Sequence, residues 1–212
     1  SMDKNNKLTA AKDAAKAYVN QMRAGDQAGL MTFDTKTYYV QQVTKDTAAL
    51  TTAIDGLKTG GDTSMFDALV EAEKNLNGIS GRKAVIALTD GLDNHSQNTV
   101  DSVIEQIGPS GLTISTVGFG DASTASQSGL DEAALKSLAE KSGGLYSFAA
   151  DAQSLSALYQ QFGRTLQSEY ALTYVSPSTL RDGINRNLTV SLSAVGVTTK
   201  SNYNPGGVLP EV

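Results

Sequence analysis

The amino-acid sequence predicts an α/β fold, a doubly wound and mostly parallel sheet flanked by helices, with a C-terminal β-hairpin extension. The segment Ala84–Leu88 is an unbroken apolar run bounded by polar residues, as expected of a strand buried on both faces. Predicted strands alternate with amphipathic helices as far as Gln167, which is the pattern of a layered α/β domain. From Tyr170 onward apolar and polar residues alternate instead, which indicates half-buried antiparallel strands.

The helices are predicted by apolar residues that recur on one stripe at three- and four-residue spacing. Asn5 or Asn6 can cap the first helix, and Gly25 marks where that helix has ended. The predicted helices are Lys7–Met22, Thr47–Leu57, Met65–Leu76, Val100–Ile107, Asp131–Ser142 and Ser154–Gln167.

The strands are predicted by short apolar or β-branched runs between turn residues. In the body of the chain they are Ala28–Phe33, Thr37–Val43, Ala84–Leu88, Leu112–Val117 and Leu145–Phe148. The short link Asp34–Lys36 between the first two predicts a hairpin, with one strand antiparallel at a sheet edge. In the extension, Tyr170–Val175 and Leu188–Ser193 are predicted strands, joined through a turn-rich segment that begins at Pro177. We assign residues 1–168 to the α/β domain, 169–203 to the hairpin extension and 204–212 to a tail or linker.

The composition excludes several classes of function. The net charge is −5, without basic clusters, which argues against a nucleic-acid partner. The absence of Cys excludes disulfides, zinc–thiolate sites and thiol nucleophiles. No run of about 18 apolar residues that could span a membrane is present, and no signal peptide is visible. The abundance of Ser, Thr, Asn and Gln favours an extracellular or cell-surface protein of a bacterium.

Two loops at predicted strand ends offer oxygen ligands. One carries Thr63 and Ser64, and the other begins with Asp90. Ligands of open α/β sheets bind beyond the carboxyl ends of the strands, and hydroxyl and carboxylate oxygens suit Mg²⁺ or Mn²⁺. Each loop also has an ordinary structural interpretation. An Asp before Gly forms turns, and a Thr or Ser after two glycines caps a helix.

The order of these segments resembles a von Willebrand factor type A domain of the bacterial branch. The resemblance covers Ser1 to about Leu166, and the hairpin resembles an extension that follows some bacterial members. It rests on Lys7-Leu8 opening an Ala/Lys-rich helix, on Gly60-Gly61-Asp62-Thr63-Ser64-Met65-Phe66-Asp67-Ala68-Leu69, on Leu88-Thr89-Asp90-Gly91-Leu92-Asp93-Asn94, and on Thr116-Val117-Gly118-Phe119-Gly120.

The resemblance implies a metal-ion-dependent adhesion site. The family motif is an Asp-x-Ser-x-Ser after the first strand, a Thr in a later loop and an Asp after the fourth strand. Thr63 and Asp90 match the last two parts, and Ser1 with Met2 fits the closing Ser of the first part and the Met that often follows it. The implied metal ligands are therefore Ser1, Thr63 and Asp90.

The opening Asp and first Ser of that motif, and the strand before them, are not in the sequence. The family fold has this strand in the middle of the sheet, so its loss would expose backbone groups and apolar surface. Three explanations are open: the sequence is part of a longer protein, which we favour; Ser1-Met2 is a cloning remnant; or another segment fills the gap. In each case we expect weak or no binding of Mg²⁺, Mn²⁺ or Ca²⁺ by this chain alone.

Four further polar residues flank the predicted site, namely Asp62, Ser64, Asp93 and Asn94. They are expected to hold water molecules around the cation or to line its rim, and turn formation is the alternative for Asp93 and Asn94. The single histidine, His95, is expected to be a surface residue. Asp67 is expected to interact favourably with the dipole of its helix.

The resulting functional hypothesis is a non-enzymatic protein-binding or adhesion module. The divalent cation keeps one position open for an Asp or Glu carboxylate of a partner protein, and few charged protein ligands keep it electrophilic. The alternatives are a Mg²⁺-dependent phosphoryl hydrolase that uses Asp90 and Asp93, and a scaffold domain with a degenerate metal site. The hydrolase is disfavoured because no Lys is expected near either loop and no phosphate-binding Gly-Lys-Thr sequence is present.

Overall fold

The computed structural model describes residues 2, 6–120, 130–168, 186–192 and 196–203. The chain divides into two compact units, Ser1–Glu169 and Tyr170–Val212, and each is considered by itself. Within the described residues, no helix combines the length and the apolar character that crossing a membrane requires.

The first unit alternates helices and strands and confirms the predicted α/β class. Its helices and strands begin and end within a few residues of the predicted bounds, and a single 3-10 turn at Gly108–Ser110 precedes the fourth strand. In chain order the elements are α1 (Lys7–Val19), β1 (Ala28–Phe33), β2 (Thr37–Thr44), α2 (Thr47–Asp55), α3 (Met65–Leu76), β3 (Ala84–Thr89), α4 (Val100–Ile107), β4 (Thr113–Phe119), α5 (Glu132–Ser142), β5 (Tyr146–Ala149) and α6 (Ala152–Ser168).

The strands of this unit form two sheets. The strands β3, β4 and β5 are parallel in that order, with Leu88 opposite Val117. The strands β1 and β2 form the predicted antiparallel hairpin, with Phe33 opposite Thr37. The Asp34 carboxylate accepts the Lys36 backbone N–H at 2.9 Å and closes the turn. Both the parallel sheet and the hairpin are therefore confirmed.

Helices α1 and α3 cover opposite faces of β3. Ile86 and Leu88 pack in the cluster that contains Ala11 of α1, whereas Val85 and Ala87 belong to the cluster that contains residues of α3. This alternation follows from the period-two geometry of a strand.

The strand β1 packs against the same two helices. Leu30 packs in the cluster that contains Val19 of α1 and Leu50 of α2, and Phe33 packs in the cluster that includes Leu69 of α3. Residues of α1 and α3 thus belong to the clusters that pack against both sheets.

The strands β1 and β3 share no partner strand within the described residues. Among the strands that the structure describes, β1 pairs with β2 and β3 pairs with β4, and none joins the two sheets. Most residues of β3 are only half-buried, whereas β4, which has a strand on each side, is mostly buried. The lower burial of β3 fits a strand with a described neighbour on one edge only, because an apolar strand inside a sheet is normally covered by neighbours on both edges.

The first turn of α1 departs from prediction. Asn6 has a left-handed backbone (φ 56°, ψ 23°), and its side chain makes no capping hydrogen bond. The expected cap by Asn6 is therefore wrong, because an N-cap residue needs an extended backbone to direct its oxygen at the first turn. Asn5 lies outside the described residues.

The second unit contains a β-hairpin, made by β6 (Arg186–Leu192) and β7 (Val197–Tyr203). The two strands are antiparallel, with Leu192 opposite Val197. The strand β7 was not predicted, because its sequence is dominated by Thr, Lys, Ser and Asn and has little apolar alternation. The predicted strand Tyr170–Val175, the link that follows it and the tail at 204–212 lie outside the described residues.

Candidate metal-binding site

Asp90 is a buried carboxylate at the carboxyl end of β3. The residue is 9% exposed, and its Oδ2 accepts a hydrogen bond from Lys7 Nζ at 2.9 Å. The turn after β3 is tied by the Thr89 hydroxyl, which donates to the Gly91 carbonyl at 3.1 Å and accepts from the Gly91 N–H. The Thr89 hydroxyl therefore closes this turn.

Lys7 is the first residue of α1, and its ammonium forms an ion pair with Asp90. The expectation that no basic side chain lies near either loop is therefore wrong. A separation of 83 residues hides the contact from any local pattern. One signal was available, since a cation in the first turn of a helix opposes the helix dipole and implies a compensating anion nearby.

Thr63 lies next to Gly91, the residue that follows Asp90. A Cβ atom built on Gly91 would be 3.8 Å from the Thr63 hydroxyl oxygen, so this hydroxyl lies against the backbone that immediately follows Asp90. The structure thus places two of the three predicted metal ligands on adjoining loops. The third, Ser1, lies outside the described residues.

Asn94 joins the Thr63 loop to the loop after β3. Its side-chain carbonyl accepts the Thr63 backbone N–H at 2.9 Å. The Thr63 carbonyl in turn accepts the backbone N–H groups of Asn94 and His95, each at 3.1 Å. Three hydrogen bonds therefore fix the backbone of Thr63 relative to the Asp90 loop.

Asp93 caps α3 from a different loop. Its carboxylate accepts the Phe66 N–H at 2.8 Å and the Ser96 hydroxyl at 2.7 Å. Ser64 occupies the N-cap position of α3, but its side chain makes no capping bond. The Ser64 hydroxyl instead donates to the Asp34 carbonyl at 2.6 Å, which ties the Thr63 loop to the end of β1. Ser64 therefore stands at the N-cap position, but its hydroxyl fixes the loop and does not cap α3.

Asp67 is a further residue of this network, although the sequence predicted only an interaction with the dipole of its helix. Its carboxylate accepts the backbone N–H of Gln97 at 3.1 Å, and the backbone N–H and side-chain amide of Asn98 at 2.9 and 2.8 Å. Burial raises the pKa of Asp67, but these donors outweigh it and hold the pKa below its usual value. Asp67 and Asp93 thus tie the start of α3 to the loop after β3. Asp67 accepts hydrogen bonds from that loop, and Asp93 accepts one from α3.

Asp62 and His95 lie at the exposed rim. Their side chains are 55% and 49% exposed, and His95 Nδ1 is 3.9 Å from an Asp62 oxygen. His95 is therefore a surface residue, as expected.

The chemistry of these donors fits a hard cation, but their number does not complete a site. Thr63 and Asp90 offer hydroxyl and carboxylate oxygens, whereas Mg²⁺ takes about six oxygen ligands. Across the part of the chain that the structure describes, no three carboxylate or imidazole side chains come together. The cationic group in contact with Asp90 is the ammonium of Lys7. Further oxygen donors, from Ser1 or from water, would be needed to hold a divalent ion.

The fold and the two hydrogen-bonded loops define the class of this protein. It is an α/β domain with polar loops at the carboxyl edge of a parallel sheet. Residues 1–92 match the family of the von Willebrand factor type A domain. The resemblance inferred from the sequence is therefore confirmed over this part of the chain. No curated protein matches the chain significantly.

Solved structures share the fold at low sequence identity. A von Willebrand factor type A protein from Catenulispora acidiphila matches with a TM-score of 0.68 and 23% identity, over 77% of this chain and 39% of that one. The vWF domain of the type V pili tip protein Mfa5 from Porphyromonas gingivalis matches with a TM-score of 0.60 and 14% identity, over 80% and 91% of the two chains.

A third similar structure is proximal thread matrix protein 1 from the mussel byssus, with a zinc-occupied MIDAS motif. Its TM-score is 0.62 at 20% identity, over 75% of this chain and 42% of that one. At these identities the likeness establishes the fold of the first unit.

Proposed function

We propose that this chain is a protein-binding or adhesion module that binds an Asp or Glu carboxylate of a partner through a divalent cation. The observation that carries the proposal is that the Thr63 hydroxyl lies against Gly91, the residue that follows the buried Asp90 at the carboxyl end of β3. Two of the similar structures support it, one by its zinc-occupied MIDAS and the other by its place at a pilus tip.

In this mechanism the cation, Mg²⁺ or alternatively Mn²⁺ or Ca²⁺, supplies an electrophilic position for the partner's carboxylate. Thr63 would hold it through its hydroxyl, and Asp90 through its carboxylate or through water. Ser1 is proposed as another hydroxyl ligand. Asp93 and Asn94 hold the Thr63 loop in place, as their hydrogen bonds to Phe66 and Thr63 indicate.

The remaining rim residues have different proposed roles. Ser64 is buried and bonded to the Asp34 carbonyl, so its role is to fix the loop. Asp62 is exposed and free to face the partner or the water around the cation. An extracellular or bacterial cell-surface location belongs to the same proposal, and the pilus tip relative supports it.

The first experiment measures cation binding alone. MnCl₂ is titrated by calorimetry into the chain and into its Thr63→Ala and Asp90→Ala variants, with Asp13→Asn as a control. Asp13 is an exposed carboxylate on α1 that pairs with Lys16, far along the sequence from both loops. We expect weak binding by the chain and none by the two site variants, with Asp13→Asn unchanged. Equal binding by all four proteins would contradict the proposal.

The second experiment measures the bridging role. A surface coated with poly-glutamate is exposed to the chain in MgCl₂ or in EDTA. We expect capture only with the cation, and loss of capture in the Thr63→Ala variant. Capture that persists in EDTA would eliminate the metal-bridged mechanism.

One structural observation favours the phosphoryl hydrolase. Lys7 lies beside Asp90, where the sequence did not predict a basic group. Against it, the Asp93 carboxylate is engaged by Phe66 and Ser96 and is not free to join Asp90 in catalysis. A screen of phosphate monoesters with MgCl₂ separates the two functions, and turnover that is lost in Asp90→Ala would favour the enzyme.

A further inference from the structure

We propose that Lys7 is an internal counter-cation of this site, which a divalent ion must displace from Asp90 in order to bind. The inference rests on the proposed function, and it adds a residue that sets the cation affinity. The inference does not depend on which partner carboxylate then binds the cation.

The contact between the two groups is short and shielded from water. Lys7 Nζ lies 2.9 Å from Asp90 Oδ2, and the side chains are 18% and 5% exposed. A hydrogen bond between charged groups at this distance is among the strong ones, and shielding strengthens it. The ammonium also lies at the end of β4, since it is 3.9 Å from where a Cβ on Gly120 would be. It thus lies at the carboxyl edge of the parallel sheet, near the ends of both β3 and β4.

The position of Lys7 in its helix supports the same conclusion. Lys7 begins α1, whose first turn contains no acidic residue and whose Asn6 side chain makes no capping bond. A positive charge at a helix N-terminus is unfavourable, so the helix itself does not hold the ammonium there. The carboxylate of Asp90 supplies the compensating charge. Nothing in the helical geometry opposes release of the ammonium once another cation satisfies Asp90.

A divalent ion and the ammonium compete for this carboxylate. Mg²⁺ coordinates a carboxylate oxygen at about 2.1 Å, and an ammonium on the same carboxylate would repel it strongly. The Lys7 stem is long and flexible, so its ammonium can swing to solvent when the ion arrives. In the absence of the ion, Lys7 keeps the buried carboxylate neutralised. The ion pair therefore stabilises the cation-free state and lowers the apparent affinity for the divalent ion.

The test compares MnCl₂ affinity by calorimetry among the chain, Lys7→Gln and Lys12→Gln. Lys12 lies on the same helix and donates to the Asp55 carbonyl at 2.8 Å, so its substitution makes the same change in net charge elsewhere. We expect Lys7→Gln to bind Mn²⁺ about tenfold more tightly, because the ion then has no ammonium to displace from Asp90. We expect Lys12→Gln to bind like the unmodified chain.

A second measurement needs no variant and covers the case in which Lys7→Gln does not fold. The chain is treated briefly with an amine-acetylating reagent, with and without saturating MgCl₂, and acetylation of each lysine is followed by mass spectrometry. We expect the acetylation rate of Lys7 to rise several-fold with MgCl₂ while that of Lys12 stays constant. An unchanged rate at Lys7 when the ion is bound would overturn the displacement.

The outcomes separate this inference from the proposed function. If Lys7→Gln and the unmodified chain bind Mn²⁺ with equal affinity, the role of Lys7 is wrong and the cation site stands. If neither binds although circular dichroism shows both folded, the cation site itself is wrong, and this inference with it. Tighter binding confined to Lys7→Gln supports both.

Discussion

The ammonium of Lys7 and the carboxylate of Asp90 meet at 2.9 Å although 83 residues separate them in the sequence. The contact joins the start of α1 to the end of β3, so one ion pair fixes a helix end to a strand end. A buried carboxylate needs such a partner, since leaving it without one costs several kcal/mol.

The Asp90→Asn variant should therefore be less stable but folded. The substitution removes the anion and leaves the Lys7 ammonium beside the N-terminus of α1. We expect the free energy of unfolding to fall by about 1–3 kcal/mol, less than for a fully buried pair because the Lys7 stem can reach water. Urea unfolding followed by circular dichroism measures this loss. Asp13→Asn, at the exposed pair with Lys16, should change it by less than about 0.5 kcal/mol. Equal losses in the two variants would show that the Asp90 pair adds no stability.

The Asn94→Ala variant should loosen the Thr63 loop. It removes the side-chain carbonyl that accepts the Thr63 N–H at 2.9 Å. The backbone bonds from Asn94 and His95 to the Thr63 carbonyl remain, so we expect a modest loss of about 1 kcal/mol. Native-state hydrogen exchange at the Thr63 amide measures the effect, and exchange there should accelerate while that of core amides does not. Asn77→Ala, at the exposed end of α3, is the control and should leave the Thr63 amide unchanged.

Asp67 should make stability depend on pH in the acid range. Its pKa in the folded state lies below its ordinary value, against the effect of burial, because Asn98 and Gln97 donate to the ionised carboxylate. A group whose pKa is lowered by folding contributes stability above its unfolded pKa, and this contribution is lost as the pH falls through its folded pKa. The free energy of unfolding should therefore decrease between about pH 5 and pH 2.

Asp67→Asn should flatten that decrease. Urea midpoints measured across the range for the chain and for the variant provide the comparison. Asp55→Asn is a suitable control, because this carboxylate pairs with Lys16 at the surface, away from the loops. A pH profile of Asp67→Asn that parallels that of the unmodified chain would contradict the assignment.

The fold was predictable because its signals are local. The apolar run Ala84–Leu88 and the stripes of the helices follow from periodicity, and the β1–β2 turn follows from the short link at Asp34. The strand β7 was missed because a Thr-rich, mostly polar strand lacks the apolar alternation on which such predictions depend.

The candidate site was predictable only in part. Asp90 follows the end of a strand and Thr63 matches a family motif, whereas Lys7 and Asp67 act across tertiary contacts. Asp67 bonds to residues 30 and 31 positions away, and no spacing rule covers such a distance. The same applies to Ser64, whose hydroxyl binds the end of β1 instead of its own helix.

The paired glycines before Thr63 should differ sharply in their tolerance of a side chain. Gly61 has φ +66°, and a Cβ there would lie 2.6 Å from the Asp34 Cβ, whereas a Cβ on Gly60 would meet only an Asp34 oxygen at 3.9 Å. A left-handed backbone costs an Ala about 1 kcal/mol, and the clash adds a similar amount or more, so Gly61→Ala should lose about 2–3 kcal/mol. Gly60→Ala is the matched control and should lose less than about 1 kcal/mol.

The same pair of variants tests whether the loop positions the cation ligand. To relieve the clash at Gly61, the loop must move away from Asp34, and Thr63 and the Ser64 hydroxyl move with it. Binding of MnCl₂, measured by calorimetry, should therefore weaken at least several-fold in Gly61→Ala and stay near normal in Gly60→Ala. If Gly61→Ala is destabilised but binds Mn²⁺ normally, Thr63 does not depend on this loop conformation and its assignment as a ligand would be wrong.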